Sequence, residues 1–202
     1  QIKKYKPSFF IIEDLKTFLK VKKKFNSCKV KILHGFESFH SKKKIDITIS
    51  AIPGIDGLMP TLKLIRISKK ILIANKESII CGWNLILREA KKNKTRIIPI
   101  DSEHYSILSA IKDKDIDDIK KIYITASGGP FLEFTKSQLM TVKPSMAIRH
   151  PKWNMGKKIS VDSSTLMNKI LELIEAQKIF KLKDDKIDIV IHPECLVHAI
   201  VC

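Results

Sequence analysis

The sequence predicts an α/β fold, a mostly parallel sheet with helices packed on its faces. Three observations point there. Short β-type runs alternate with helix-type segments. The helix-type segments place apolar residues three and four apart, on one face. Several β-type runs close on polar clusters, as strands do where a parallel sheet offers its carboxyl ends to a ligand.

In chain order, "SFFIIE" (8–13) and "CKVKILHG" (28–35) read as strands, with "DLKTFLKVKKKF" (14–25) as the helix between them. "KIDITISAIPG" (44–54) reads as a strand ending in a turn, and "GLMPTLKLIRIS" (57–68) as a helix. "KKILIANKES" (69–78) reads as a buried strand running into a polar end, "SIICGWNLILREAKKN" (78–93) as a helix, and "TRIIPID" (95–101) as the next strand. Beyond it, "KIYITASGGPF" (121–131) is a strand entering a Ser-Gly-Gly-Pro turn. The stretch 141–158 lacks periodicity and reads as a long functional loop. Residues 159–180 read as a short strand, a cap and a long helix. "KIDIVIHPECLVHAIV" (186–201) reads as a strand, a break and the start of another strand or helix.

The chain has 202 residues, enough for one large domain or two small ones. It carries 38 Lys and Arg against 21 Asp and Glu, a net charge of +17. Such an excess fits a nucleic-acid or anionic surface, but the lysines are mostly dispersed. The short clusters "VKKKF" and "SKKKI" lie between apolar segments, without a zinc-finger or RNA-binding signature. The four cysteines form no CxxC pair and no disulfide framework. A reducing cytoplasm fits. No apolar run approaches the roughly 18 residues of a membrane span.

The first chemical cluster is "IPIDSEHYSI" (98–107). In an extended segment Asp101 and Glu103 point the same way, and two carboxylates suit Mg²⁺ or Mn²⁺. A solvated acidic turn is the plain alternative. The second is "DSSTLMNKILELIE": Asp162, Ser163 or Ser164 would cap the following helix and make an anion site at its N-terminus. Asn168, Lys169 and Glu172 share one face of that helix; a surface ion pair is the alternative for Lys169 and Glu172. In "TASGGPF", Gly128 and Gly129 allow close approach to a ligand and Ser127 adds a hydroxyl, or the segment is a tight turn. In "RHPKWNMGKK", His150 could hold phosphate or move a proton, and Trp153 with Met155 suits a lid. In "ANKES", Lys76 could meet an anionic substrate, or be solvated. The other histidines show no metal-ligand spacing, and His104 reads as support for the acidic pair.

Together "LIANKES", "DSEH", "SGGPF", "HPKWNMGKKISVDSSTLMNK" and "IHPECLVH" resemble the signatures of the 1-deoxy-D-xylulose 5-phosphate reductoisomerases, across essentially all of the chain. The resemblance implies conversion of 1-deoxy-D-xylulose 5-phosphate to 2-C-methyl-D-erythritol 4-phosphate, in non-mevalonate isoprenoid synthesis. NADPH and Mg²⁺ or Mn²⁺ would be the cofactors. Asp101, Glu103 and Glu172 would bind the metal. Lys76, Ser102, Glu103, Ser127, His150, Ser163, Asn168, Lys169 and Glu172 would hold the substrate. Asn75, Glu77 and Gly156 would meet NADPH. Lys76, Glu103, His150, Trp153 and Lys169 would serve catalysis. The implied layout is a Rossmann-like NADPH domain (1–100) followed by an α/β catalytic domain (101–202), both incomplete. The family's Gly-rich segment is expected upstream of Gln1, its helical domain downstream, and the whole enzyme as a homodimer, with no nucleic-acid or membrane partner. Ile170 and Asp56 depart from the family pattern. A basic nucleic-acid-binding module and an inactive remnant acting as an interaction domain are the competing readings.

Overall fold

The computed structural model describes residues 1–41, 43–112 and 114–202, so Lys42 of the "SKKKI" cluster lies outside the described residues. Backbone packing forms two compact units, Gln1–Ile45 and Asp46–Cys202. The first holds α1 (Ile2–Tyr5), β1 (Phe9–Ile12), α2 (Leu15–Lys24) and β2 (Lys31–His34). β1 and β2 pair in parallel, Phe10 opposite Ile32. Asp14 starts α2 by accepting the Thr17 amide at 2.7 Å, a local signal the sequence announces.

β3 (Ile45–Ser50) leads into the second unit. There follow α3 (Leu58–Ile67), β4 (Ser68–Ile73), α4 (Lys76–Asn93), β5 (Arg96–Pro99) and α5 (Ser102–Ala110). Next come β6 (Ile122–Ala126), α6 (Lys136–Leu139), α7 (Pro144–Ala147), α8 (Lys157–Ser164), α9 (Met167–Phe180), β7 (Ile187–Ile191) and β8 (Ala199–Val201). One sheet runs β3-β4-β5, with β4 and β5 parallel; the other runs β7-β6-β8, with β7 parallel and β8 antiparallel to β6. The α/β class is as expected, and the second sheet is mixed. No helix among the described residues is long and apolar enough to cross a membrane.

Each sheet buries its own core. Ile71 and Ile73 of β4 meet Leu62 and Ile65 of α3 and Ile79 and Ile86 of α4. Ile122 and Ile124 of β6 meet Ile107 of α5 and Ala176 and Phe180 of α9. Ile179 of α9 packs against both cores, so α9 stitches the two sheets together.

Four local expectations are corrected. "ANKES" is not a strand end: β4 stops at Ile73 and α4 begins at Lys76, because Asn75 caps it by accepting the Ser78 amide at 2.6 Å. "DSEH" is not extended: α5 begins at Ser102 with Asp101 as its N-cap residue. Residues 159–161 are not a strand, since α8 runs through them and is braced by the Lys158–Asp162 pair one turn apart, 2.7 Å. Ser163 and Ser164 therefore finish α8 and do not cap α9. The stretch 141–158 is irregular except for the single turn of α7 and the start of α8.

Ile124 is fully buried at the centre of the second sheet, whereas Ile200 is 45% exposed on its edge. Ile124→Ala should cost about 2–5 kcal/mol and Ile200→Ala under about 1 kcal/mol. Urea unfolding of the two variants checks the contrast.

Candidate functional site

Lys76 is the first helical residue of α4, and Lys169 lies in the first turn of α9. A helix N-terminus disfavours a cation, and both side chains are nearly buried. Each is matched by two carboxylates, one of them Glu172, which serves both. The Lys76 ammonium lies 2.8 Å from Asp101 Oδ2 and 2.8 Å from Glu172 Oε1, and donates to Asn168 Oδ1 at 2.9 Å. The Lys169 ammonium lies 2.6 Å from Glu103 Oε1 and 2.5 Å from Glu172 Oε2. Glu172 Oε1 also accepts the Asn168 amide at 2.5 Å, and Glu103 Oε2 accepts the Ser102 hydroxyl at 2.7 Å.

Burial opposes the charge on Glu103, but Lys169 and the Ser102 hydroxyl outweigh it and hold the carboxyl at about 2. Burial likewise opposes the charge on both lysines, and their carboxylate partners raise them above the ordinary ammonium range. The cluster is thus ionic, although little water reaches it.

Asp101, Glu103 and Glu172 each offer an oxygen within 4.8 Å of the others. The first two converge because Asp101 is the N-cap residue of α5 and Glu103 sits in its first turn, and not through strand alternation. Glu172 Oε2 is buried and lies 2.5 Å from the Lys169 ammonium. Three carboxylate oxygens brought together in this way fit a hard divalent cation.

Asp101 also groups with His104 and Glu175. His104 bonds the Glu172 carbonyl through Nε2 at 2.8 Å, tying α5 to α9 directly behind the carboxylates. Burial, then repulsion from Asp101, pushes Glu175 up to about 9, so it is neutral at pH 7 and a poor cation ligand. Sequence reasoning missed Glu175; its only signal is an acid on the apolar side of α9.

A cavity of about 510 Å³ opens over this cluster. Its wall includes Lys76, Asp101, Ser102, Glu103, Ser127, His150, Trp153, Ser163, Asn168, Lys169 and Glu172. Met155, Leu166, Cys195 and His198 join them. His150 Nδ1 accepts the Lys152 and Trp153 amides at 3.1 Å each, which leaves the proton on Nε2, 3.0 Å from Ser127 Oγ. Burial lowers the His150 pKa, in keeping with a neutral ring. Ser127 Oγ also takes the Gly129 amide at 3.3 Å, so its own proton is available to a ligand. Gly129 has φ +71°, and a methyl group there would come within 2.6 Å of the Ser163 carbonyl oxygen. This close approach presses the end of α8 against the turn after β6.

Asn75, Glu77 and Gly156 are not in the cavity wall. Asn75 spends its side chain on the cap and on the Gly54 carbonyl at 2.9 Å. Glu77 pairs with Lys158 at 2.6 Å, which ties the first turn of α4 to α8, whose N-cap residue is Gly156.

The model of the 1-deoxy-D-xylulose 5-phosphate reductoisomerase family matches residues 1–82, and that of the same enzyme's C-terminal domain matches residues 97–180. The chain belongs to the 1-deoxy-D-xylulose 5-phosphate reductoisomerase family. Relatives of that name include one from Pelagibacter ubique, 47% identical over all of this chain and 53% of its own length. Another, from Clostridium novyi, is 42% identical over 99% of this chain and 53% of its own. A crystal structure of DOX-P reductoisomerase with NADPH, fosmidomycin and magnesium superposes with a TM-score of 0.89 at 38% identity, covering 99% of this chain and 52% of that one. A Zymomonas mobilis reductoisomerase with NADPH gives 0.85 at 33% identity, over 99% of this chain and 52% of its own. The chain spans about half the length of the relatives it matches.

Glu103 supplies an acid-limb prediction. Its carboxyl is held below the ordinary 4.5, at about 2. The stability it contributes is therefore present above pH 4.5 and lost as pH falls toward 2. In urea unfolding from pH 5 to 3, the wild type should lose more stability than Glu103→Gln; parallel losses would contradict the assignment.

Proposed function

We propose that the protein carrying this chain converts 1-deoxy-D-xylulose 5-phosphate to 2-C-methyl-D-erythritol 4-phosphate, with NADPH and Mg²⁺ or Mn²⁺. The carrying observation is that one cavity gathers three carboxylates, two buried lysines and a Ser–His hydroxyl relay. Family membership and the magnesium and NADPH complexes of related structures support the same reading. Residues 1–100 are assigned to the cofactor side and 101–202 to catalysis, and the whole enzyme to a homodimer of the cytoplasm.

Asp101, Glu103 and Glu172 would hold the cation, which when bound supplies Lewis-acid polarisation of substrate oxygens; NADPH supplies the hydride. Asn75, Glu77 and Gly156 are the residues assigned to NADPH.

The protein's own groups do the rest. Ser127 donates its hydroxyl proton to a phosphate oxygen while His150 Nε2–H holds the Ser127 oxygen in place. Ser163 and Asn168 add polar contacts, and Lys169 adds charge between the phosphate side and the carboxylates. Lys76 and Ser102 meet the hydroxyl and carbonyl end. Anchoring the phosphate spends remote binding energy on orienting the reacting carbons. Trp153 is 51% exposed beside the cavity, so its indole has surface left to bury on a ligand. Closing it over the substrate excludes water and shields the aldehyde intermediate.

In the full-length enzyme, Lys169→Ala should raise KM for the phosphorylated substrate by about tenfold or more and lower kcat as well. Unchanged kcat/KM, with thermal unfolding reporting a folded protein, would remove Lys169 from the site. With Trp83 replaced by Phe and any further tryptophans removed, Trp153 emission should shift when substrate is added. Emission constant in wavelength and intensity during turnover would rule out the lid.

A further inference from the structure

Leu166 stands where two helices meet without a loop between them. α8 ends at Ser164, Thr165 follows as its C-cap residue, and α9 starts at Met167. Leu166 has φ 61° and ψ 4°, a left-handed backbone, and caps nothing with its side chain. An N-cap position ordinarily pairs an extended backbone with a side-chain oxygen, and Leu166 has neither.

Among the described residues, positive φ outside glycine occurs at Lys6, Lys94, Leu166, Lys181 and Cys195. The three lysines close helices α1, α4 and α9 as the chain leaves them. Leu166 and Cys195 instead line the cavity. A left-handed conformation is unfavourable for a bulky L-residue. It persists where the surroundings over-determine it, and such strain concentrates at functional sites.

The surroundings of Leu166 do over-determine it. On its N-terminal side, Ser163 is pressed against Gly129, and the Ser163 carbonyl accepts the Leu166 amide at 3.2 Å. On its C-terminal side, the Lys169 and Ile170 amides bond the Leu166 carbonyl at 3.0 and 3.2 Å. With both flanks fixed, the Leu166 dihedrals set how the end of α8 faces the start of α9.

We propose that Leu166 is a positioning residue: its left-handed backbone turns the chain so that Ser163 and the Asn168–Lys169 pair reach the same cavity and bind one phosphate together. The proposal rests on the phosphate reading above and deepens it.

The test separates backbone from side chain, with inorganic phosphate as the probe and Mn²⁺ as the control, measured by calorimetry on the full-length protein. Leu166→Asn and Leu166→Ala both remove the leucine side chain, but only asparagine tolerates the left-handed backbone well. Leu166→Val keeps an apolar side chain and opposes that backbone most strongly. The asparagine variant should bind phosphate within about threefold of wild type, the valine variant at least about tenfold more weakly, and Mn²⁺ affinity should hold in both. If the valine variant does not fold, the alanine variant decides, and it should bind phosphate more weakly than the asparagine one. Equal phosphate affinities in the asparagine and alanine variants overturn the positioning role. A wild type that does not bind phosphate overturns the phosphate reading, and the positioning role with it.

Discussion

Two lysine ammonium groups sit at the positive ends of two helices, close to each other and largely out of water, and the rest of the site is arranged to tolerate them. Each placement is unfavourable by itself: the helix dipole opposes it and so does burial. The compensation is Glu172, which reaches both ammonium groups through its two oxygens, with Asp101 completing the shell of Lys76 and Glu103 that of Lys169. Because the partners come from α4, α5 and α9, the cluster cannot form unless these helices pack in one way. The two hydrophobic cores joined through Ile179 and the buried His104 bond to the Glu172 carbonyl supply that packing. Removing one partner of such a cluster leaves an uncompensated buried charge, the costly case for an ion pair.

The same arrangement divides the cavity chemically. Three carboxylates face two ammonium groups, so the cluster is one negative charge in excess and suited to a divalent cation. Away from the cluster, Ser127 and Ser163 give the wall hydroxyl groups, which is where the proposed reading puts the phosphate of its substrate.

Much of the fold was legible because strand and helix periodicity dominate through residue 101. The irregular second half was harder. α5 was missed since "DSEHYSILSA" lacks a strong apolar stripe, and its cap residue Asp101 gives its side chain to Lys76 instead of its own helix. α8 was misread because Ile159 and Val161 suggest a strand, whereas the Lys158–Asp162 pair favours a helix. The serines taken for a cap of α9 end α8 instead, and the junction residue is a leucine that no capping rule anticipates. These errors leave the named residues in the cavity wall. Ser163, Asn168, Lys169 and Glu172 reach the cavity whichever helix carries Ser163. Asp101 and Glu103 converge at a helix start as they would have along a strand. The motif order carried this information, and local geometry was needed only to explain it. Glu175 was legible in neither way, since His104, the group it faces, is far away in sequence.

The central claim is that Asp101, Glu103 and Glu172 together form a cation site whose oxygens the lysines share. Mn²⁺ binding to the full-length protein, followed by electron paramagnetic resonance, tests it most directly. The account predicts one bound ion per chain. Glu172→Gln, verified as folded by thermal unfolding, should weaken Mn²⁺ binding by at least about tenfold. Wild-type Mn²⁺ affinity in that folded variant would contradict the account.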